Sequence, residues 1–322
     1  MISVALCTYN GAKYLAEQLD TILSQTVMPS EVIIGDDGSI DETRSILEKF
    51  EPVFSSRGIK FHVETSQENI GVTANFQRTL EATSGEIIFL SDQDDLWFPD
   101  RIEKSLQVFA DHPEVSLLHS DAELVNQRGE EMGRTIFQSL GFTPADQSRA
   151  NSGMSFDLLL QRNLVTGATT AIRRTLLESS VPFSPLWLHD EWLALCASAE
   201  NGYRVISEPL IGYRQHGGNV VGVRKRSVRS DIAYFLASRT GRYERLIQRF
   251  SAARRFGQLR SWDDELILKI SGRINFDEQR LKYPTNRFAR IRDISNQWRH
   301  GLYKKYCYSP LTEILRDLLQ SK

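Results

Sequence analysis

The chain has 322 residues, of which 41% are hydrophobic and 25% charged, and its formal net charge is −2. That length buries a large core, as one big domain or one plus an appendage, and the composition is that of a soluble globular protein rather than a disordered or fibrous one. Cys7, Cys196 and Cys307 lie far apart with no pairing motif, which argues against a disulfide framework or zinc site and fits a reducing cytosol.

The opening residues Met1–Leu6 carry neither a basic leader nor a cleavage site, so no secretory signal is expected. No apolar run approaches the roughly 20 residues that span a bilayer. The near-zero charge hides a division. Residues 223–322 hold 23 Lys and Arg against 10 Asp and Glu, whereas residues 1–222 hold 16 against 31. Halves this polarised imply two jobs, one facing a metal or nucleotide and one facing an anionic partner.

Ser3–Cys7 reads as a buried strand, followed by a helix through Tyr14–Leu23. A second strand, Glu31–Gly35, precedes a helix over Asp41–Phe50, with Asp41 placed to cap it. Lys60–Glu64 alternates as a third strand should, Val72–Thr83 is helical, and Glu86–Leu90 is the fourth strand. This alternation predicts an α/β fold with a mostly parallel sheet covered on both faces, ligands binding beyond the carboxyl ends of the strands.

Three of those ends carry polar clusters: Thr8-Tyr9-Asn10, Asp36-Asp37-Gly38-Ser39 and Asp92-Gln93-Asp94. Three on one edge exceed what helix capping alone requires and predict a binding crevice. The third cluster continues into Asp95, and carboxylates this close repel one another unless a cation or solvent screens them. Mg²⁺ and similar ions take one or two carboxylates plus substrate phosphates, so an Asp-x-Asp here suits a metal–diphosphate. The competing reading is a cap on a helix through Leu96-Trp97-Phe98-Pro99.

Phe156–Leu160 and Ala168–Ile172 continue the pattern, with a helix over Trp192–Ala199 and a strand over Pro209–Tyr213. Beyond a boundary at Val223–Ser227 the segments Ile232–Phe256, Glu265–Lys282 and Ile291–Gln320 read as basic helices. No internal repeat is present.

With these motifs in place, residues 1–222 resemble the family 2 glycosyltransferases, enzymes of the GT-A fold that use nucleoside-diphosphate sugars. The resemblance rests on Cys7-Thr8-Tyr9-Asn10-Gly11, Gln25, Asp36–Ser39, Asn69-Ile70-Gly71, Ser91–Asp95, Gly167, His189-Asp190-Glu191-Trp192 and Tyr213–Asn219. Asp-Gln-Asp-Asp and Tyr-Arg-Gln-His are most similar to the bacterial branch that builds surface polysaccharides, including rhamnosyltransferases. The implied organisation is a GT-A catalytic domain over 1–222, its nucleotide-sugar half about 1–120 and its acceptor half about 121–222, then a basic helical region over 223–322.

The resemblance implies roles for particular residues. Asp37, with Asp36, receives a pyrimidine base, while Thr8, Tyr9 and Asn10 line it and Asn69 and Gly71 add nucleotide contacts. Asp94 is the direct ligand of Mg²⁺ or Mn²⁺, with Asp92 reaching the ribose or a metal-bound water. His216 is a metal or phosphate contact and Arg214 a phosphate contact. Asp190 is the base that deprotonates the acceptor hydroxyl, and the His-Asp-Glu order leaves Glu191 as the alternative. Gly167 and Trp192 belong to the acceptor side, with Trp187. Asp95 caps the following helix.

The implied activity is metal-dependent, inverting transfer of a sugar, L-rhamnose foremost, from a UDP- or dTDP-donor to a growing surface polysaccharide or lipid-linked glycan. Such a protein would be cytoplasmic or peripheral on the inner membrane face. Its basic helices would meet an anionic membrane or a second copy of the chain, and no nucleic-acid motif accompanies them. Two rivals stand. A sugar-1-phosphate nucleotidyltransferase would need a Gly-rich basic loop after the first strand, where Thr8-Tyr9-Asn10-Gly11 stands instead. A non-catalytic nucleotide-sugar-binding module would keep the crevice without needing Asp190.

Overall fold

A computed structural model of the chain describes residues 1–216 and 240–320. The described residues form two compact units. The first holds Met1–Gly153 and the residues from Leu164 to 216; the second holds Met154–Asn163 and the residues from 240 on. The expected boundary at 223–227 lies outside the described residues, as do Gly217, Gly218, Asn219 and the basic cluster Arg224, Lys225, Arg226 and Arg229. Short of the boundary, Met154–Asn163 departs from the sequence reading by grouping with the C-terminal helices.

In the first unit β1 (Ile2–Thr8), α1 (Leu15–Leu23), β2 (Glu31–Asp36), α2 (Thr43–Ser56), β3 (Lys60–Thr65), α3 (Val72–Ala82) and β4 (Ile87–Asp92) follow the alternation expected from sequence. β1 pairs in parallel with β2 and β4, and β2 with β3. These runs of β-branched and apolar residues are buried almost throughout, as strands covered on both faces must be. Gly35 lets α3 approach β2: a Cβ there would lie 1.9 Å from Thr79 Oγ1.

The remainder of the sheet mixes antiparallel and parallel pairs. β5 (Leu96–Trp97), α4 (Arg101–Asp111), β6 (Leu117–Val125), β7 (Glu131–Thr135), α5 (Ile136–Leu140), α6 (Pro144–Arg149), α7 (Ser155–Leu159, in the second unit), β8 (Thr170–Arg173), α8 (Arg174–Ser180), α9 (His189–Ala199) and β9 (Tyr203–Arg214) complete it. The sheet order is β3-β2-β1-β4-β8-β6-β9-β5, with β7 beside β6. β6 and β9, which are parallel, place a second group of strand ends beside the first. Ser155–Leu159, within the run Phe156–Leu160 that continues the pattern, is helical.

In the second unit α10 (Thr240–Leu259), α11 (Asp264–Leu281), α12 (Arg287–Arg299), α13 (Leu302–Tyr306) and α14 (Pro310–Leu319) pack together. The single helix expected over 291–320 is broken twice. Gly301 takes a left-handed conformation at φ 73°, and Pro310 opens the last helix at a position where its missing N–H costs nothing.

Much of the basic charge points inward. Arg280 pairs with Asp317 at 2.7 Å, Glu313 at 2.7 Å and Asp277 at 3.5 Å. Tyr243 and Tyr303 donate their hydroxyls to Asp317 at 2.5 and 2.6 Å. Arg290 donates to the carbonyls of Pro284, Asp317 and Gln320. Arg242 pairs with Glu313.

Candidate active site

The parallel register brings the polar clusters level. Thr8 stands opposite Asp36, and Cys7 opposite Asp92. The buried Cys7 thiol is raised above its ordinary pKa by burial, with the charges of both Asp92 and Asp37 adding to the rise. Both carboxylates therefore act on one point at the end of β1.

Gln93 joins the first and third clusters. Its Oε1 accepts from Thr8 Oγ1 at 2.7 Å and from the Tyr9 N–H at 2.8 Å, while its Nε2 donates to the Tyr9 carbonyl at 3.3 Å. Sequence reasoning gave Gln93 no role, although it lies within the acidic motif. Tyr9 is left 45% exposed. Asn10 is spent on the neighbouring turn: its N–H donates to Ser39 Oγ, and its side chain accepts from the Ile40 N–H.

The two adjacent aspartates differ. Asp36 is fully buried and accepts from the Ser39 N–H and hydroxyl and from Arg44 Nε. It builds the turn, which departs from the base contact expected of it. Asp37 accepts from the Ile70 N–H at 2.8 Å and the Gly71 N–H at 3.0 Å, and Asn69 Oδ1 accepts from the Gly71 N–H as well. Each carboxylate oxygen carries a second lone pair, so these bonds orient Asp37 while leaving it able to accept an imide N–H.

In the acidic loop, Asp94 Oδ2 lies 2.6 Å from His216 Nε2. Asp92 is half-buried, and its carboxyl is pushed up to about 8 by burial and then by the charges of Asp94 and Asp190. Asp95 does not cap a helix. Leu96–Trp97 pairs with β9 as a short strand, α4 starts only at Arg101, and Asp95 Oδ1 accepts from the Arg214 N–H at 3.0 Å. Its other oxygen is buried without a partner, and its carboxyl stays well above the usual range through burial and the charges of Asp94 and Asp92.

Arg214 is also displaced from its expected role. It is 1% exposed. Its guanidinium donates to the Asp94 carbonyl at 2.7 Å, the Gln127 carbonyl at 3.1 Å and Glu17 at 2.6 Å, and lies over the Tyr14 ring. So placed, it clamps the acidic loop instead of reaching for phosphate.

Asp190 opens α9. Its Oδ2 accepts from the Gly167 N–H and its Oδ1 from the Glu191 N–H, both at 2.8 Å. Gly167 is buried, and a Cβ there would lie 2.7 Å from His189 Nε2. Expected on the acceptor side, Gly167 instead orients Asp190. His189 is stacked on Phe76 at 3.7 Å and has no partner for either ring nitrogen; burial drives it down to about 3, so it stays neutral. Glu191 is half-buried beside Asp190. Trp192 is no acceptor platform: it is 1% exposed, and its indole donates to the Ser180 carbonyl at 2.9 Å. Trp187 is buried too.

The Tyr213 phenol ties the groups together. It is raised above its ordinary pKa by burial, then by the charges of Asp95, Asp92, Asp94 and Asp190. The charges of the acidic loop and of the start of α9 thus both act on Tyr213, and Asp92 stands opposite Cys7 at the end of β1.

Among the described residues no three His, Cys, Asp or Glu side chains form a closed metal cage. Asp94 and His216 in contact, with Asp92 nearby, fit as open donors for a Mg²⁺ or Mn²⁺ ion, whose remaining ligands would be phosphate oxygens. Such an ion would offset the repulsion from Asp94 and Asp190 that, after burial, pushes the Asp92 carboxyl up.

Comparison with known proteins agrees with this geometry. The model described as Glycosyl transferase family 2 matches residues 3–178, more than half of the chain. An uncharacterised glycosyltransferase of Nostoc sp. is 27% identical over 233 residues, covering 68% of this chain and 66% of its own length. A Bacillus subtilis protein named for teichuronic acid biosynthesis, TuaG, is 33% identical over 107 residues, covering 33% of this chain and 41% of its own. The chain spans about two thirds or less of the length of these curated relatives. Among solved structures, Staphylococcus aureus TarS 1-349 in complex with UDP-GlcNAc is similar with a TM-score of 0.57 at 18% identity, over 94% of this chain and 80% of that one. Mannosyltransferase PcManGT of Pyrobaculum calidifontis, in complex with GDP-Man and Mn²⁺, gives 0.51 at 21% identity, over 98% and 84%. The fold is GT-A.

Proposed function

The chain belongs to glycosyl transferase family 2, and we propose that it transfers a sugar from a nucleoside diphosphate donor to an acceptor hydroxyl with inversion at the anomeric carbon. The observation that carries this reading is the convergence of acidic groups from separate segments. Register sets Thr8 opposite Asp36 and Cys7 opposite Asp92, Asp94 meets His216 at 2.6 Å, and, after burial, the charges of Asp94 and Asp190 both push the Asp92 carboxyl up.

Asp37 accepts the imide N–H of a uracil or thymine base, and the exposed Tyr9 ring stacks on it. Thr8, held by Gln93, lines the same side, and Asn69 and Gly71 hold the turn that orients Asp37. Asp94 and His216 hold Mg²⁺ or Mn²⁺, with Asp92 next to them. When bound, the ion supplies positive charge against the diphosphate leaving group.

Asp190 takes the proton of the acceptor hydroxyl. The new bond joins the acceptor oxygen to the anomeric carbon, the bond to the donor's diphosphate oxygen breaks, and the electron pair leaves with the diphosphate. Two N–H donors fix the Asp190 carboxylate at the positive end of α9. Glu191, the next residue, is the alternative base. The donor is a UDP- or dTDP-sugar, L-rhamnose foremost, and the acceptor a surface polysaccharide or lipid-linked glycan at the inner membrane face. The name of the TuaG relative supports the polysaccharide class. Among the described residues no helix is long and apolar enough to cross a membrane.

The experiment is a transfer assay paired with nucleotide binding. Asp190→Asn is expected to abolish transfer while UDP affinity stays within about twofold; near-normal turnover would reject Asp190 as base.

A further inference from the structure

Helix α12 buries Arg290, Ile294 and Gln297. On another side, at helical spacing, Phe288, Ile291 and Trp298 are 83%, 50% and 37% exposed. The outward face of a surface helix is normally polar, so this stripe is out of place for a helix that meets only water. The exposed charges around it, Arg287, Arg292 and Arg299, are all basic, and Asp293, the helix's one acid, is half-buried. Lys304 lies over the Trp298 ring, 5.4 Å from its centroid.

The last helix carries a second apolar stripe. In α14, Leu311, Leu315 and Leu319 are exposed at four-residue intervals. Its acids Glu313 and Asp317 turn inward onto Arg280. The unit thus turns Asp277, Glu313 and Asp317 inward and leaves apolar stripes outside on α12 and α14, with arginines flanking the first.

We propose that the exposed stripes of α12 and α14 dock the enzyme on an anionic lipid surface, the aromatic and aliphatic side chains entering the interface and the arginines meeting lipid headgroups. The proposal rests on the reading of a lipid-linked acceptor, which gives the docking its use. Charge complementarity decides against a second copy of the chain as occupant. A two-fold contact through α12 sets each stripe against its own copy, which brings Arg287, Arg292 and Arg299 of the two copies together.

The test is flotation of the full chain with vesicles of phosphatidylcholine alone and of phosphatidylcholine with phosphatidylglycerol. Retention on the anionic vesicles should exceed that on neutral ones by at least about tenfold and fall with added salt. The variant Phe288→Ser/Ile291→Ser should lose about tenfold of that retention, as should Arg292→Glu/Arg299→Glu, while both keep wild-type UDP affinity as evidence of folding. Equal retention on both vesicle types, or unchanged retention of the Phe288→Ser/Ile291→Ser variant, overturns the proposal. So does a concentration-dependent dimer that the same variant dissolves, which would assign the stripe to a second copy. Failure of UDP to bind the wild-type chain would instead overturn the transfer reading, an outcome read separately from flotation.

Discussion

Asp94 and His216 meet at 2.6 Å although 122 positions separate them in the chain. One ends the acidic loop after β4, and the other follows the last strand, β9. The Arg214 clamp on the Asp94 carbonyl, two residues before His216, sets that meeting. His216→Ala is expected to weaken Mn²⁺-dependent UDP binding by about tenfold or more, with uridine binding unchanged. Calorimetric titration of both ligands checks it; equal weakening for uridine would move His216 away from the diphosphate.

Asp92 makes ion binding dependent on pH. Its carboxyl is pushed up to about 8 by burial and by Asp94 and Asp190, so below that pH the group is largely protonated and a cation must displace the proton. Mn²⁺ affinity should therefore rise from pH 6 to 8 and level off above. Asp92→Asn removes the titrating group and should flatten the profile. Mn²⁺ titrations across that range provide the measurement.

Gly167 supports the proposed base through its N–H and leaves no space for a side chain. Gly167→Ala drives a Cβ against His189, next to Asp190. The expected result is a fall in kcat of about tenfold or more, with KM for the donor little changed. Steady-state kinetics at saturating donor separates this from an acceptor-binding role, which would raise acceptor KM and spare kcat.

Glu313 ties the C-terminal unit to acid stability. Against the upward push of burial, Arg280 and Arg242 hold its carboxyl down to about 2. A folded pKa below the ordinary 4.5 adds stability above that value and loses it as pH falls toward 2. The full contribution is about 3 kcal/mol, and about 2 kcal/mol of it is gone by pH 3. Glu313→Gln should lower stability at pH 7 and make the loss between pH 5 and 3 shallower. Denaturant unfolding at the two ends of that range measures both.

The parallel half of the sheet was legible because β1, β2 and β4 are unbroken apolar runs whose polar ends stand out. β6 was not, since His119, Ser120 and Asp121 interrupt its apolar pattern; their burial comes from strands the chain adds later. Arg214 illustrates a second limit. Its position beside His216 was visible, but whether it meets phosphate or clamps a loop depends on Glu17 and Gln127, far off in sequence. Trp192 was read for its chemistry, yet its place in α9 puts it in the core. The arginines of the C-terminal helices showed as charge, while Asp277, Glu313 and Asp317, which turn several of them inward, became partners only through tertiary packing.

The central claim is that carboxylates from separate segments hold one ion and one nucleoside diphosphate. Calorimetric titration of UDP into the wild-type chain and into Asp94→Asn, each with and without Mn²⁺, addresses it directly. The account predicts binding at least about tenfold tighter with Mn²⁺ for the wild type, and no Mn²⁺ enhancement for Asp94→Asn. UDP binding that ignores both the ion and the substitution, or no UDP binding at all, would contradict it.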